Sequence, residues 1–300
     1  MIKGVTEARL FTPPLRKLTK KTSLGFAAAE YATDVLGKTL YPWQEWALIH
    51  LLEIEGDLTT EWRFRFRTVL VEVSRQNGKT VLSEVIASFF LNVLGVDSVF
   101  GTSLSLDKAE EVWEEVIKDQ ESIPTLATDI DRVCRTNGNK RLILTGLRVY
   151  KVGAPTRRAG RGDSNDLVML DEVREHRDWE VWSAAAASTA AKPNGMIICF
   201  SNAGDPDSVV LRQLRATALG KDADFGGEID GSVGLFEWSA PEGSATDDWN
   251  ALAQANPALG YGRLTDRALM SSRATFPENK FRSECMCMQV ETILPSPFPD

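Results

Sequence analysis

The residues most able to do chemistry lie in four short runs. Ser74-Arg75-Gln76-Asn77-Gly78-Lys79-Thr80 joins a β-rich stretch, residues 68–73, to an apolar helical pattern over about 80–94. Gly-Lys-Thr at such a junction has the chemistry of a phosphate-binding loop. Backbone N–H groups at the helix N-terminus surround phosphate oxygens, the lysine reaches the β- and γ-phosphates, and the threonine hydroxyl ligates Mg²⁺. The glycine that usually opens such a loop is replaced by Val73, and a bare Gly-Lys-Thr also suits a solvated helix start. The second run, Asp166-Leu167-Val168-Met169-Leu170-Asp171-Glu172, is an apolar strand that ends in two carboxylates. Asp171 can hold Mg²⁺, and Glu172 can orient or deprotonate an attacking water; alone, the pair is also an ordinary charged strand end. Ser201-Asn202-Ala203-Gly204 follows another apolar run and offers short polar side chains that can sense a γ-phosphate, or simply a polar turn. Trp43-Gln44 opens a helix upstream. The Gln44 amide can read the donor–acceptor edge of adenine, with a buried helix-start Trp as the plainer alternative.

These runs require a particular scaffold. Continuous apolar stretches at 68–73, 98–100, 167–170 and 196–200 alternate with helical patterns at about 26–36, 43–52, 80–94, 105–119 and 179–191. Such strands, apolar on both faces and separated by helices, specify a mostly parallel sheet covered on each side. Residues 141–152 alternate around Thr145-Gly146 and predict a hairpin. Past residue 220, glycines and prolines punctuate the chain; Asp247-Asp248 signals a helix start before Trp249, Asn256-Pro257 a helix end, and 266–274 a last helix. Residues 1–23 are basic and Pro-containing, which reads as a lead-in arm. Arg63, Arg65 and Arg67 alternate with Phe64 and Phe66 as one charged face of an edge strand. Trp179 and Trp182, three apart, read as core.

Composition narrows the function classes. The 300 residues carry 34 Lys and Arg against 42 Asp and Glu, a net charge of −8. That balance argues against a chain that coats nucleic acid or an anionic membrane over its whole surface, though it permits a local basic loop. Four cysteines without a C-x-x-C spacing and only two histidines leave little material for structural zinc, a disulfide framework or Ser-His chemistry. Cys285 and Cys287 suit an extended or irregular segment. The start of the chain lacks a signal-peptide apolar core, and the apolar runs are too short to span a bilayer, which points to a reducing cytosol.

Taken in order, Tyr41-Pro42-Trp43-Gln44, Ser74 to Thr80, Val168-Met169-Leu170-Asp171-Glu172 and Ser201-Asn202-Ala203-Gly204 resemble the large terminase subunit of tailed double-stranded DNA bacteriophages, from about residue 40 to Asn256-Pro257. That family shares an arginine where Arg75 stands, so the missing first glycine fits the likeness. The resemblance implies an α/β P-loop NTPase of the ASCE/RecA-like type, with a mostly parallel central sheet flanked by helices and a small C-terminal linker subdomain. It implies an ATP- and Mg²⁺-dependent motor that moves double-stranded DNA into a procapsid in the host cytoplasm. Its partners would be the portal protein, a small terminase subunit and further copies of itself in a ring of about five, with a monomer in isolation and no membrane. By the same likeness, Ser74, Arg75, Gln76, Asn77, Gly78, Lys79 and Thr80 form the ATP loop, with Gln44 at the adenine position. Thr80 and Asp171 hold the metal, Glu172 is catalytic, Arg75 meets the γ-phosphate, and Ser201 and Asn202 couple hydrolysis to movement.

Arg157-Arg158-Ala159-Gly160-Arg161-Gly162 is a Gly-flanked basic loop just before the acidic strand. Its Arg-Gly resembles the family's trans-acting arginine, which makes Arg161 the candidate for stabilising charge in a neighbouring subunit's site; a loop that contacts DNA phosphates is the alternative. The expected organisation is an arm and lead-in helix over 1–39, an ATPase core over 40–220 and a linker or lid subdomain over 221–300, with no nuclease centre. Two competing readings remain at this level. A superfamily 2 helicase also uses an upstream Gln, a Gly-Lys-Thr loop and an Asp-Glu strand but needs a second RecA-like lobe. An ATP-binding assembly subunit would need no hydrolysis.

Overall fold

The computed structural model describes residues 2–59, 61–103, 106–153, 164–221 and 231–289. The elements run β1 (Leu10–Phe11), α1 (Gly25–Asp34), α2 (Pro42–Leu51), β2 (Ile54–Gly56), β3 (Trp62–Phe64), β4 (Thr68–Val73), α3 (Lys79–Asn92), β5 (Ser98–Ser103) and α4 (Leu106–Ser122). They continue with α5 (Pro124–Ala127), β6 (Ile130–Cys134), β7 (Lys140–Leu144), β8 (Val149–Val152), β9 (Leu167–Asp171), α6 (Glu180–Thr189), β10 (Met196–Ser201), α7 (Val209–Ala218), β11 (Val233–Trp238), α8 (Trp249–Ala255), α9 (Asp266–Thr275) and α10 (Glu278–Met286).

Among the described residues, nine strands form one sheet in the order β1-β11-β4-β10-β9-β5-β8-β7-β6. The six strands from β11 to β8 pair in parallel, and β1, β7 and β6 are antiparallel additions at the two edges. The reason is visible in β4. Val69, Val71 and Val73 enter one apolar core with α1 to α4, while Leu70 enters a second core with Val168, Leu170, Cys199 and the α7 residues Val210, Leu211 and Leu214. A strand sealed on both faces must be apolar at successive positions, which is the pattern read from the sequence. The chain passes from β4 to β5 and returns to insert β9 and β10 between them, so the C-terminal ends of β4, β10, β9 and β5 lie side by side. In open α/β sheets that edge is where ligands bind.

The expected hairpin is present as β7 and β8, joined by a short 3₁₀ turn, Thr145–Leu147, whose Gly146 and Leu147 have φ of 76° and 66°. Asp248 caps α8 by accepting from Asn250 N and Ala251 N at 2.9 and 3.2 Å, as a helix-start signal should.

Several expectations are corrected. The basic N-terminal stretch is a packed edge and not a loose arm. β1 pairs with β11 (Leu10 with Glu237), Val5 N donates to Ala253 O, and Gly4 passes so close to Asn256 that a Cβ there would lie 2.3 Å from the Asn256 carbonyl oxygen. The central sheet also continues past residue 220, because β11 lies parallel to β4 from Val233 opposite Thr68 to Trp238 opposite Val73. Beyond β11, α8 to α10 form small apolar clusters of their own, around Leu252 and Phe281 and around Leu259 and Leu269. The alternation at Arg63, Arg65 and Arg67 does not make one charged face. Only Arg63 stays exposed, paired with Glu55; Arg65 is buried against Glu53 and Pro13 O, and Arg67 donates to the carbonyls of Thr189, Lys192 and Pro193. Trp179 is exposed and not core; it meets Trp182 edge-on at 6.5 Å. Helices α7 and α10 and strand β6 escaped the sequence reading, and Cys285 and Cys287 fall at the end of α10 instead of in an extended segment.

Candidate nucleotide site

The turn after β4 is built around two left-handed residues, Gln76 at φ 62° and Gly78 at φ 96°. A Cβ at Gly78 would lie 2.8 Å from Gln44 Nε2, so this position needs glycine for its conformation and for its neighbour. Helix α3 starts at Lys79 with no side-chain cap from Gly78 and no acidic residue in its first turn. The first N–H groups of a helix have no partner within it, and here they face the C-terminal edge of the sheet with the positive end of the helix dipole behind them.

The loop is gripped from two sides. From α2, Trp43 Nε1 donates to Asn77 O at 3.1 Å and Gln44 Nε2 donates to Gly78 O at 2.9 Å. Gln44 Oε1 accepts from Tyr41 N at 2.7 Å, so the same amide closes the helix start and braces the loop. Trp43 is itself fully buried and packs edge-on against Trp238 at 5.0 Å, a contact worth about 0.5–1.5 kcal/mol beyond its buried area. From the C-terminal segment, Asn256 Oδ1 accepts from Ser74 Oγ at 2.8 Å and Asn77 Nδ2 at 3.2 Å, and Ala258 N donates to Asn77 Oδ1 at 2.9 Å. The seven loop residues therefore divide. Gly78, Lys79 and Thr80 form the helix start, Arg75 and Gln76 are exposed, and the buried Ser74 and Asn77 side chains turn away to fix the loop's shape. Gln44 is buried, and its amide is engaged by Tyr41 N and Gly78 O at the base of the loop.

Lys79 Nζ donates to Val73 O at 2.8 Å, which lays the ammonium across the loop mouth. On β9, two strands away, Asp171 ends the strand and Glu172 takes a left-handed conformation, φ 53° and ψ 47°. That turn, costly for a residue with a Cβ by about 1–2 kcal/mol, lets the second carboxylate leave the strand's alternation and stay at the same edge. Asp171 Oδ1 accepts from Glu172 N at 2.9 Å. Burial raises the Asp171 carboxyl above the usual carboxylate range, opposed by the nearby Lys79 ammonium and reinforced by Glu172. Glu172 Oε2 lies 3.1 Å from Arg174 Nε. Ser201 Oγ accepts from Arg174 N at 3.1 Å, and Asn202 Nδ2 donates to Glu284 Oε2 at 3.0 Å. Arg75 Nε lies 2.9 Å from that same Oε2.

A metal at this edge would meet oxygen donors only. Thr80 starts α3, Asp171 ends β9, and Ser103, directly opposite Asp171 on β5, has a buried hydroxyl without a hydrogen-bond partner, as does Thr102 beside it. Among the described residues no cluster of three or more His, Cys, Asp or Glu builds an all-protein cage. One carboxylate with hydroxyls suits Mg²⁺ delivered with phosphate oxygens, which keeps much of its shell from substrate and water.

The structure thus brings Lys79, Thr80, Asp171, Glu172, Ser201, Asn202 and Arg75 to one edge. Arg157, Arg158 and Arg161 lie outside the described residues. Sequence reasoning missed three residues of this site: Arg174, Asn256 and Glu284. Arg174 was visible as a cation inside an acidic run, Asn256 only as a helix stop, and Glu284 carried no signal because its neighbours are remote in sequence. Among the described residues no helix is long and apolar enough to cross a membrane.

No protein-family model matches the sequence, and no curated protein matches it. Solved structures do. The large terminase of bacteriophage HK97 aligns at a TM-score of 0.72 and 18% identity, over 89% of this chain and 55% of that one. The chain therefore spans about half the length of the HK97 protein. The large terminase ATPase domain of Thermus phage P74-26 aligns at a TM-score of 0.56 and 16% identity, over 86% of this chain and 97% of that domain. At these identities the likeness is one of fold: the chain has the fold of the ATPase region of bacteriophage large terminases.

Proposed function

We propose that this chain is the ATP-hydrolysing part of a motor that moves double-stranded DNA into a viral procapsid. The observation that carries the reading is the convergence of the Gly78-Lys79-Thr80 helix start, the Asp171-Glu172 pair and Ser201-Asn202 on one edge of a terminase-type sheet. In this reading the N–H groups at the start of α3 and the Lys79 ammonium hold the β- and γ-phosphates of ATP. Thr80 and Asp171 would hold Mg²⁺, which when bound would neutralise charge on the phosphate oxygens. Glu172 positions and deprotonates the attacking water, and its Arg174 partner sets where that carboxylate points. Ser201 meets the site through Arg174 N and Asn202 through Glu284, so a change at the phosphates reaches the C-terminal helices by way of β10. Arg161 is assigned the trans role between subunits of a ring. Portal protein, small terminase subunit and DNA are the partners this reading requires.

Steady-state phosphate release with Mg²⁺ and ATP, with and without double-stranded DNA, tests it. Glu172→Gln should lower turnover by about 10²–10⁴-fold, the range of a lost general base, while a fluorescent ATP analogue still binds. Equal turnover in the two proteins would remove Glu172 from the reaction. Lys79→Ala should lose binding as well.

A further inference from the structure

A small cavity adjoins the nucleotide edge from inside the fold. It measures about 20 Å³ and lies under α3 and α4, where Ser83 and Ala109 line it. Its sheet side is made by Gly101 and Thr102 of β5, Tyr150 of β8 and Asp171 of β9. These strands lie side by side in the order β9-β5-β8, with Thr102 opposite Leu170 and Val99 opposite Tyr150. Tyr150 leans over β5 because Gly101 has no side chain: a Cβ there would lie 3.0 Å from the Tyr150 hydroxyl oxygen. The ring thereby brings its hydroxyl into the cavity that Asp171 also lines.

Two groups around this cavity are unsatisfied. The Tyr150 and Thr102 side chains are buried, and neither hydroxyl has a hydrogen-bond partner among the described residues. Each buried polar group left unpaired costs about 1–3 kcal/mol, so two of them on one cavity call for a ligand that can bond to both. Burial pushes the Tyr150 hydroxyl above its usual range, which keeps it protonated and able to donate. Asp171 supplies the complement. Its Oδ1 accepts from Glu172 N at 2.9 Å, and an ionised carboxylate has further acceptor sites to offer. A cavity of this size admits a single water, and a buried water takes about two to four polar partners. Tyr150, Thr102 and Asp171 provide that set.

Resting on the ATPase reading above, we propose that Tyr150 is a positioning residue of the nucleotide site. Its hydroxyl and that of Thr102 hold one buried water, and that water donates to Asp171 and fixes the direction in which the carboxylate offers its oxygens to Mg²⁺. Hydrogen-bond partners one step outside a metal's ligands act in this way, and losing one typically lowers metal affinity about 10–100-fold. Tyr150 sits on β8, outside every motif of the nucleotide edge, and reaches the site only through the water.

Two measurements test this. A high-resolution crystal structure of the nucleotide-free chain should show one ordered water about 2.8 Å from both the Tyr150 hydroxyl and an Asp171 oxygen. A dry cavity, or a water that does not reach Asp171, would overturn the proposal. The second measurement uses Tyr150→Phe, which removes the hydroxyl and keeps the ring. The Mg²⁺ concentration that half-saturates ATP-γ-S binding should rise about tenfold, while affinity for ADP without Mg²⁺ stays at the wild-type value. An unchanged Mg²⁺ requirement contradicts the positioning role. Equal weakening of both nucleotides contradicts it too, because that is the mark of a loosened fold. A wild type whose ATP-γ-S binding ignores Mg²⁺ rejects the ATPase reading itself, and the crystallographic water then still decides whether Tyr150 and Asp171 are bridged.

Discussion

Asn256 shows how a residue with no chemistry of its own can shape a site. Its Oδ1 accepts from Ser74 and Asn77 in the loop, and its Nδ2 donates to Leu252 O at 2.9 Å and Cys285 O at 2.7 Å. All three polar side chains are buried. Removing Asn256 therefore leaves donors and acceptors in a place without water, and each such loss costs about 1–3 kcal/mol. Asn256→Ala should lower unfolding stability by about 2–3 kcal/mol in urea titrations and weaken ATP binding by loosening the loop. A loss below about 0.5 kcal/mol, the size of an ordinary surface change, would contradict the bracing role. The same logic explains why Ser74, Asn77 and Gln44 could be placed near the loop from sequence but not aimed. Residue type and spacing located Gly78, Lys79, Thr80, Asp171 and Glu172 because helix and strand geometry act over a few residues. The direction of Ser74 and Asn77 depends on Asn256, about 180 residues away, and no local pattern encodes it.

At the scale of elements, α3 both carries the loop and needs its own anchorage. Its Glu84 pairs with Lys38 at 2.6 Å, and Lys38 in turn pairs with Asp119 of α4 at 3.0 Å. Burial pushes the Glu84 carboxyl up to about 7, with Lys38 opposing the shift and Asp119 adding to it. A carboxyl whose folded value exceeds its unfolded one contributes stability below the unfolded value and loses it as pH rises through the folded value. Glu84 should therefore cost the protein about 1 kcal/mol of stability between pH 6 and pH 8. Melting temperatures at those two pH values should fall more in the wild type than in Glu84→Gln; parallel slopes would contradict this origin. The parallel strands and their flanking helices were legible because a strand sealed on both faces is apolar throughout, as β4, β9 and β10 are. The misses have physical causes too. Helix α10 mixes charged and apolar residues because it packs on a site and not on a large core, and β6 is a half-exposed edge strand without a strong apolar alternation.

For the whole molecule, segments far apart in sequence pack around the nucleotide loop and the sheet edge beside it. Residues 4–12 run along β11 and the segment after α8, while α8 to α10 return to Ser74, Arg75, Asn77 and Asn202. The C-terminal helices thereby touch the loop and the end of β10 directly. A net charge of −8 also bears on the proposed DNA partner. The cations the described structure displays are largely spent on internal contacts, as Arg9, Arg65, Arg67 and Arg174 are, so DNA would be gripped through local loops and not over a broad basic face. All of this rests on where the phosphates sit. A crystal structure with ATP-γ-S and Mg²⁺ addresses that directly. Phosphate oxygens should lie about 3 Å from the N–H groups of Gly78, Lys79 and Thr80, with the metal held by Thr80 and Asp171. A nucleotide bound elsewhere, or one whose phosphates stay clear of Lys79 and Asp171, would contradict it.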